Sequence, residues 1–391
     1  MSSAAMTLTE REAGRATGLA GVMLGFLVHG LVVSTWVSRL PSIKASLRLS
    51  DGALGMALLG TAIGSIIGIV AAGALVTRFG SRRSTQWSSL GFCGALVLPA
   101  LAWDGATLFA ALLVYGAMAG ANDVSMNAQA VGTERLLGRP VISRIHAMFS
   151  VGGIAGAAAG GWIASRGVPA LPHLALGAVA FAAIALASAR MTVETETGEH
   201  APKPEARRRR LPHLTAALAA LSTIGFCIFL SEGAMADWTA VYLRQVLRAS
   251  IGLAPVGYAM FSATMAAFRF AGDGITARFG RTRVVRWGAL LAGAGVALAV
   301  CAPTPYWAIV GFAAAGAGYS SIIPLVFAAG GRLGSVSEGQ GVATVSGTGY
   351  LGFLVGPPAI GFISQMASLR AGLGVLVVLS AVAAVLAGAV E

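Results

Sequence analysis

Three carboxylates stand inside stretches that are otherwise apolar. Asp123 lies in Gly120-Ala121-Asn122-Asp123-Val124-Ser125-Met126-Asn127, and Glu232 and Asp237 lie in Ser231-Glu232-Gly233-Ala234-Met235-Ala236-Asp237-Trp238. A carboxylate withdrawn from water can take up or release a proton as its surroundings change, and it can hold a donor group of a polar solute. Asp123 and Asn127 are four residues apart and share one face of a helix, with Asn122 beside them as a candidate solute contact. Asp123 is a candidate proton site; the alternative is an acid locked to another helix by a hydrogen bond. Glu232 could accept a solute donor or carry a second proton, or it could be a structural tie. Asp237 and Trp238 sit one to two turns beyond it, and Trp238 reads either as a solute platform or as a packing residue. His29, in Gly25-Phe26-Leu27-Val28-His29-Gly30, could relay protons to Asp123 or be a satisfied core imidazole. Arg269 and Asp273, at i and i+4, form a pair expected to make and break at a gate. The sequence shows no metal-spaced His/Cys cluster, no phosphate-binding glycine loop and no Ser/His/Asp set outside the apolar stretches. The chemistry on offer is proton exchange and solute binding, with neither an enzyme's bond-breaking machinery nor a cofactor.

A membrane has to position these residues. Hydrophobic residues make up 56% of 391 and charged ones 11%, with mean hydropathy +0.79. A soluble domain of this length cannot hide so much apolar surface, so lipid is its solvent. Placing an ionisable group mid-bilayer costs about 2.5 kcal/mol or more, which directs the acids named above toward a bundle interior. Twelve spans are predicted at about 15–38, 52–77, 84–103, 106–131, 142–165, 168–189, 213–243, 251–277, 284–302, 306–329, 339–365 and 370–390. In the tenth, Gly316, Gly318, Tyr319 and Pro324 predict a thin, kinked segment lining a cavity, with Tyr319 a candidate solute contact. Cys93, Cys227 and Cys301 fall singly and read as small core residues. Residues 1–13 are polar, and no cleavable signal is expected.

The spans repeat. Thr77-Arg78-Phe79-Gly80-Ser81-Arg82-Arg83 recurs 200 residues later as Ala277-Arg278-Phe279-Gly280-Arg281-Thr282-Arg283. Gly156-Ala157-Ala158-Ala159-Gly160-Gly161 recurs as Gly356-Pro357-Pro358-Ala359-Ile360-Gly361, and Gly25-Phe26 as Gly225-Phe226. A duplicated six-helix unit follows, with halves at 1–190 and 213–391 joined by a linker over 191–212. The net charge of +12 is distributed by loop: arginines crowd the turns after the second, fourth and eighth spans and the linker run Arg207 to Arg210. The other side holds Arg39, Lys44, Arg48, Arg166, Arg244, Arg248 and Arg370. The positive-inside rule makes both termini cytoplasmic and excludes nucleic acid as the reason for the charge.

Twelve spans in two halves, with a Gly/Arg-rich turn after the second and eighth, resemble the major facilitator superfamily. Its signature there has the form G-x-L-x-D-R-x-G-R-[KR]; Gly73, Leu75, Arg78, Gly80, Arg82 and Arg83 match in order, and Thr77 replaces the acid. The resemblance implies gating roles for Arg78, Arg82, Arg83 and Arg278. The fourth span's Asp123 then Asn127, and the seventh span's Glu232 then Trp238, are similar to the fucose–proton symporter-like branch. That likeness implies proton coupling at Asp123 and a substrate-side amide at Asn127.

The expected fold is all-α and integral to the membrane, twelve helices in two pseudo-symmetric bundles. The expected function is proton-coupled symport of a sugar-like or other polar solute across a bacterial inner membrane, by a monomer working through alternating access. A proton-driven exporter of drugs or metabolites is the alternative, supported by the partial likeness of Gly156 to Gly161 to an exporter motif, although close helix packing accounts for the same glycines. A receptor or lipid-handling protein that retains the fold is a third class.

Overall fold

The computed structural model describes residues 8–139, 141–192, 215–333 and 338–391, so the predicted linker, apart from Met191 and Thr192, lies outside the described residues. All regular elements among them are helical: α1 (Leu8–Ser46), α2 (Asp51–Ala95), α3 (Gly105–Leu137), α4 (Ile142–Ser165), α5 (Ala170–Met191), α6 (Ala216–Gln245), α7 (Val256–Phe279), α8 (Arg281–Cys301), α9 (Pro305–Tyr319), α10 (Ile322–Arg332), α11 (Glu338–Met366) and α12 (Leu369–Leu386). Nine stretches among the described residues are long and apolar enough to cross a membrane. One of them, Asp51–Leu101, covers 51 residues, more than twice what a ~30 Å hydrocarbon core needs at about 1.5 Å per residue. It folds back at Gly80, whose φ of 80° and ψ of 160° interrupt the helix. A side chain there would be strained, which explains the glycine. With α2 divided at Gly80, α9 and α10 joined, and α7 and α11 included, the helices are consistent with the twelve predicted spans.

Two expectations need correction. The span predicted over 84–103 is helical only to Ala95; Pro99 then lies in a 3-10 turn, Leu98–Leu101. The tenth span is broken outright, between α9 and α10 at Ser320 and Ser321. Pro324 has no N–H to give the carbonyl four residues before it and its ring crowds that carbonyl, which belongs to Ser320. Arg269 takes up the freed acceptor, its Nε donating to the Ser320 oxygen at 3.0 Å.

The repeat carries into backbone geometry. Gly280 has φ 81° and ψ 154°, close to the values at Gly80. Arg48 and Arg248, also 200 residues apart, are the two non-glycine residues with positive φ among the described residues, at 52° and 56°. In each copy of the glycine turn an arginine lies over the next ring: Arg78 is 5.2 Å from the Phe79 centroid, and Arg278 is 5.4 Å from Phe279.

Helix α1 packs on α4 and α5, and the arms of α2 on α3; in the later group α6 packs on α11 and α12, and α7 and α8 on α9. Between the groups, α2 meets α11, α4 meets α7 and α1 meets α6. Small residues permit this closeness: a Cβ at Gly160, within the predicted glycine motif, would meet Ser38 Oγ of α1 at 2.1 Å. Outward, Val70, Leu176, Val179 and Val385 are largely exposed, as lipid-facing side chains are. Cys93 and Cys227 are buried as expected, but Cys301 is exposed.

Candidate functional site

At one end of the molecule, hydrogen bonds join the two groups of helices. Lys44, only 4% exposed near the end of α1, forms an ion pair with Asp51 and donates to Gln245 Oε1 of α6 at 2.8 Å. Gln365 Oε1 of α11 accepts from Ser50 Oγ and from the Gly52 N–H, each at 3.0 Å. The backbones nearly touch here, since a Cβ at Gly55 would lie 2.5 Å from the Pro357 carbonyl oxygen. Among the described residues, the side-chain hydrogen bonds between the groups all lie at this closed end.

Two cavities occupy the space between the groups. The first, of about 550 Å³, runs between α4 and α7 to the opposite, open end. Glu232 and Tyr258 line it deep inside, and His146, Arg269 and Asp273 line its exposed mouth. Glu232 Oε1 is buried and has no hydrogen-bond partner. The second cavity, of about 370 Å³, lies nearer the closed end and is lined by His29, Trp36, Tyr115, Asp123, Asp237 and Tyr350, among others. Gly233, Ala236 and Phe353 border both cavities. His29 and Glu232 therefore face neighbouring chambers across that partition, rather than opposite walls of one cavity.

A model of the Major Facilitator Superfamily matches residues 22–276. The chain belongs to the major facilitator superfamily. An uncharacterised MFS-type transporter of Yersinia pestis is 34% identical over 356 residues, covering 91% of each chain. The solved structure of a mutant of the nucleoside transporter NupG superposes with TM-score 0.74 at 14% identity, over 96% of this chain and 98% of that one. The D-xylose–proton symporter superposes with TM-score 0.71 at 15% identity, over 95% and 96%. At these identities the structural likeness is one of fold. As a superfamily member the chain is a multi-pass membrane transporter and not an enzyme.

Among the superfamily's signature residues, Arg78 and Arg83 are exposed near the glycine turn at the open end, as is Arg278 in the second copy. Arg82 instead reaches back to α5, its Nη2 donating to the Ala189 carbonyl at 3.3 Å. Arg269 is spent on the broken tenth span, and Asp273 is exposed; the one ion pair among the described residues is Lys44 with Asp51. The predicted Arg269–Asp273 pair is therefore not formed in this conformation.

Four predicted solute contacts lie elsewhere. Asn122 is 0% exposed; its Oδ1 accepts from Ser89 Oγ at 2.7 Å and Ser88 Oγ at 3.2 Å, and its Nδ2 faces His29 Nδ1 at 2.9 Å. It positions His29 and lines neither cavity. Asn127 donates to Asp123, at 2.8 Å to the carbonyl and 3.1 Å to Oδ1, so its amide holds the acid. Trp238 is 0% exposed in the core of the later group, and Tyr319 is 0% exposed with its hydroxyl 2.7 Å from Ser380 Oγ. Both fill helix interfaces. A large ring on an apolar helix goes to whichever face has depth to bury it, and the face of α6 bearing Trp238 packs inward.

The aromatic wall that sequence reasoning missed comes from Trp36 and Tyr115, whose rings lie 6.1 Å apart. Their signal was the spacing. His29, Val33, Trp36 and Val37 stand at i, i+4, i+7 and i+8 and line the second cavity together, as do Tyr115, Ala119 and Asp123 at i, i+4 and i+8.

Outside the membrane, at the open end, Glu134 accepts the N–H groups of Val141 at 2.8 Å and Ile142 at 3.0 Å. These bonds favour its charged form and hold its pKa below the ordinary carboxylate value. Helix α4 has no cap from its own N-cap residue, Val141, so Glu134 supplies one from α3 and fixes the start of the helix that carries His146. At the closed end Asp104 caps α3 through Thr107, which lowers the Asp104 pKa in the same way.

Proposed function

We propose that this chain is a proton-coupled secondary transporter of a small polar solute, working by alternating access in a bacterial inner membrane. Residues 1–190 and 213–391 rock as two bundles, as a monomer, with the open end and both termini on the cytoplasmic side, where the positive-inside rule puts Arg78, Arg83 and Arg278. The conformation is then inward-facing. The observation that carries the reading is the pair of chambers between the bundles: their walls bear Asp123, Asp237 and Glu232, and hydrogen bonds between the bundles shut them at the closed end.

Asp123 carries the coupling proton. It faces the second cavity, Asn127 fixes its carboxyl, and His29 of α1 lines the same space as a relay. Glu232, unpartnered in the first cavity, serves as a second proton site or solute acceptor on the way to the cytoplasm. Symport is the leading direction, supported by the likeness of the Asp123 and Glu232 motifs to the fucose–proton symporter-like branch. Export in exchange for protons is the second reading. It is favoured by two carboxylates facing one cavity, because a charged solute and protons can compete for them.

The test is reconstitution in liposomes with an imposed pH gradient. Wild-type protein should accumulate its solute, and Asp123→Asn should abolish accumulation while preserving binding and solute exchange, since an amide keeps the shape but releases no proton. Wild-type accumulation by Asp123→Asn would remove that residue from the coupling role.

A further inference from the structure

The second cavity has an unbalanced wall. It receives one carboxylate from each bundle, Asp123 of α3 and Asp237 of α6, and among the described residues no lysine or arginine lines it. Asp123 has the Asn127 amide; the Asp237 side chain makes no hydrogen bond among the described residues. His29 does not supply the missing positive charge in this arrangement. The two serine hydroxyls on Asn122 Oδ1 turn its NH2 toward His29 Nδ1, which must then accept, leaving the ring proton on Nε2 of a neutral imidazole.

Further groups point to an organic ligand. Tyr115 is 3% exposed and lines this cavity, and its hydroxyl has no partner. The Thr61 hydroxyl on the same wall is also buried without one. The rings of Trp36, Tyr115, Tyr350 and Phe353 surround the space, and aromatic faces attract cations. The first cavity differs: Arg269 stands with Glu232 and Asp273 on its wall, so it selects charge less strongly.

We propose that the transported solute bears a protonated amine, held in the second cavity between Asp123 and Asp237 against the Trp36 and Tyr115 rings, with its hydroxyl or amide groups meeting Tyr115 and Thr61. A neutral sugar would satisfy the hydroxyls and leave the acids without a counter-charge. An anion would be repelled. The volume of about 370 Å³ is at the small end for small-molecule sites, which limits the solute to roughly one ring or a short amino alcohol.

The inference rests on the transport reading for its physiological meaning, but it is tested at equilibrium, without transport. Purified full-length protein is titrated with amine and alcohol partners of matched shape: glucosamine and glucose, serinol and glycerol, 2-aminoethanol and ethane-1,2-diol. Binding is followed by calorimetry and by tryptophan fluorescence. At least one amine should bind about tenfold or more tightly than its alcohol, and Asp237→Asn should remove most of that preference. Should Asp237→Asn not yield folded protein, Asp123→Asn is read instead. The proposal is overturned if the alcohols bind as well as the amines, if no amine binds at millimolar concentration, or if the preference survives in the folded variant. Amine binding without gradient-driven accumulation would sink the transport reading and leave this one standing. Accumulation of a neutral solute with no amine preference would do the reverse.

Discussion

The two ends of the molecule are built from different materials. At the closed end, a nearly buried lysine and two glutamines stitch the bundles together, with backbone against backbone at Gly55 and Pro357. At the open end the charged groups are more numerous, and Arg78, Arg83, Arg278 and Asp273 are exposed without an ion pair among the described residues. One end is held by short-range contacts that depend on fit, the other is kept apart by hydrated charge. The resting conformation is thus set where few charges are found, and mutations at the two ends should move it in opposite directions.

The largest effect should come from spoiling the fit. At Gly55 even a Cβ would lie 2.5 Å from a backbone oxygen, so Gly55→Leu cannot be accommodated with the ends together. Overpacking in a rigid contact typically costs about 1–3 kcal/mol or more, and separating the bundles relieves it. Gradient-driven transport should be lost. A cysteine at Val33, on the second cavity's wall, should become reactive to impermeant reagents from the closed-end side. The background needs Cys301→Ser, because Cys301 is exposed. Protection of Val33→Cys in the Gly55→Leu protein would mean that the end still closes.

Next in size is Lys44→Met, which removes the Asp51 pair and the Gln245 bond together. A hydrogen bond to a charged group is worth about 1.5–3 kcal/mol, so the closed-end-shut population should fall by about tenfold or more relative to its alternative. The same cysteine reports it. An unchanged labelling rate would show that backbone fit alone holds this end.

How far the sequence disclosed this contrast depends on range. The spans, the repeat and the arginine turns were legible, because each depends on local composition or on a glycine that must adopt positive φ, as Gly80 and Gly280 do. Asp123 and Asp237 could be singled out because a charge in an apolar run is conspicuous. The closed-end latch was not legible: Gln245, which accepts from Lys44, and Gln365, which accepts from Ser50 and Gly52, each lie more than 200 residues from their donors, and polar residues near a helix end are expected to be solvated. Trp238 and Trp36 show the same limit. Both are tryptophans in apolar helices, and which one faces a cavity is decided by the neighbouring helices.

At the open end the expected change has the opposite sign and a smaller size. Asp273 is exposed and free here, positioned to meet an arginine only when the mouth closes. Asp273→Asn should weaken the closed-mouth state by about 1 kcal/mol, a shift of about fivefold toward the conformation described here. Accessibility of a cysteine at Ala266, on the first cavity's wall, should rise accordingly. A fall, or no change, would remove Asp273 from the gate.

The smallest effect concerns acid. Glu134 accepts two backbone N–H groups at the start of α4, and its pKa is held below the ordinary value of 4.5. A carboxylate whose folded pKa is depressed stabilises the fold above its unfolded value and loses that contribution as pH falls through the folded value. The advantage of wild type over Glu134→Gln should therefore be full at neutral pH and shrink below about pH 4.5, because the glutamine cannot ionise. Melting temperatures of both proteins across this window give the measurement. Glu134 is only partly buried and the difference small, but its pH dependence is specific to a charged cap. A gap that stays constant from neutral to acid pH would mean that the glutamate positions α4, and with it His146 at the cavity mouth, by shape alone.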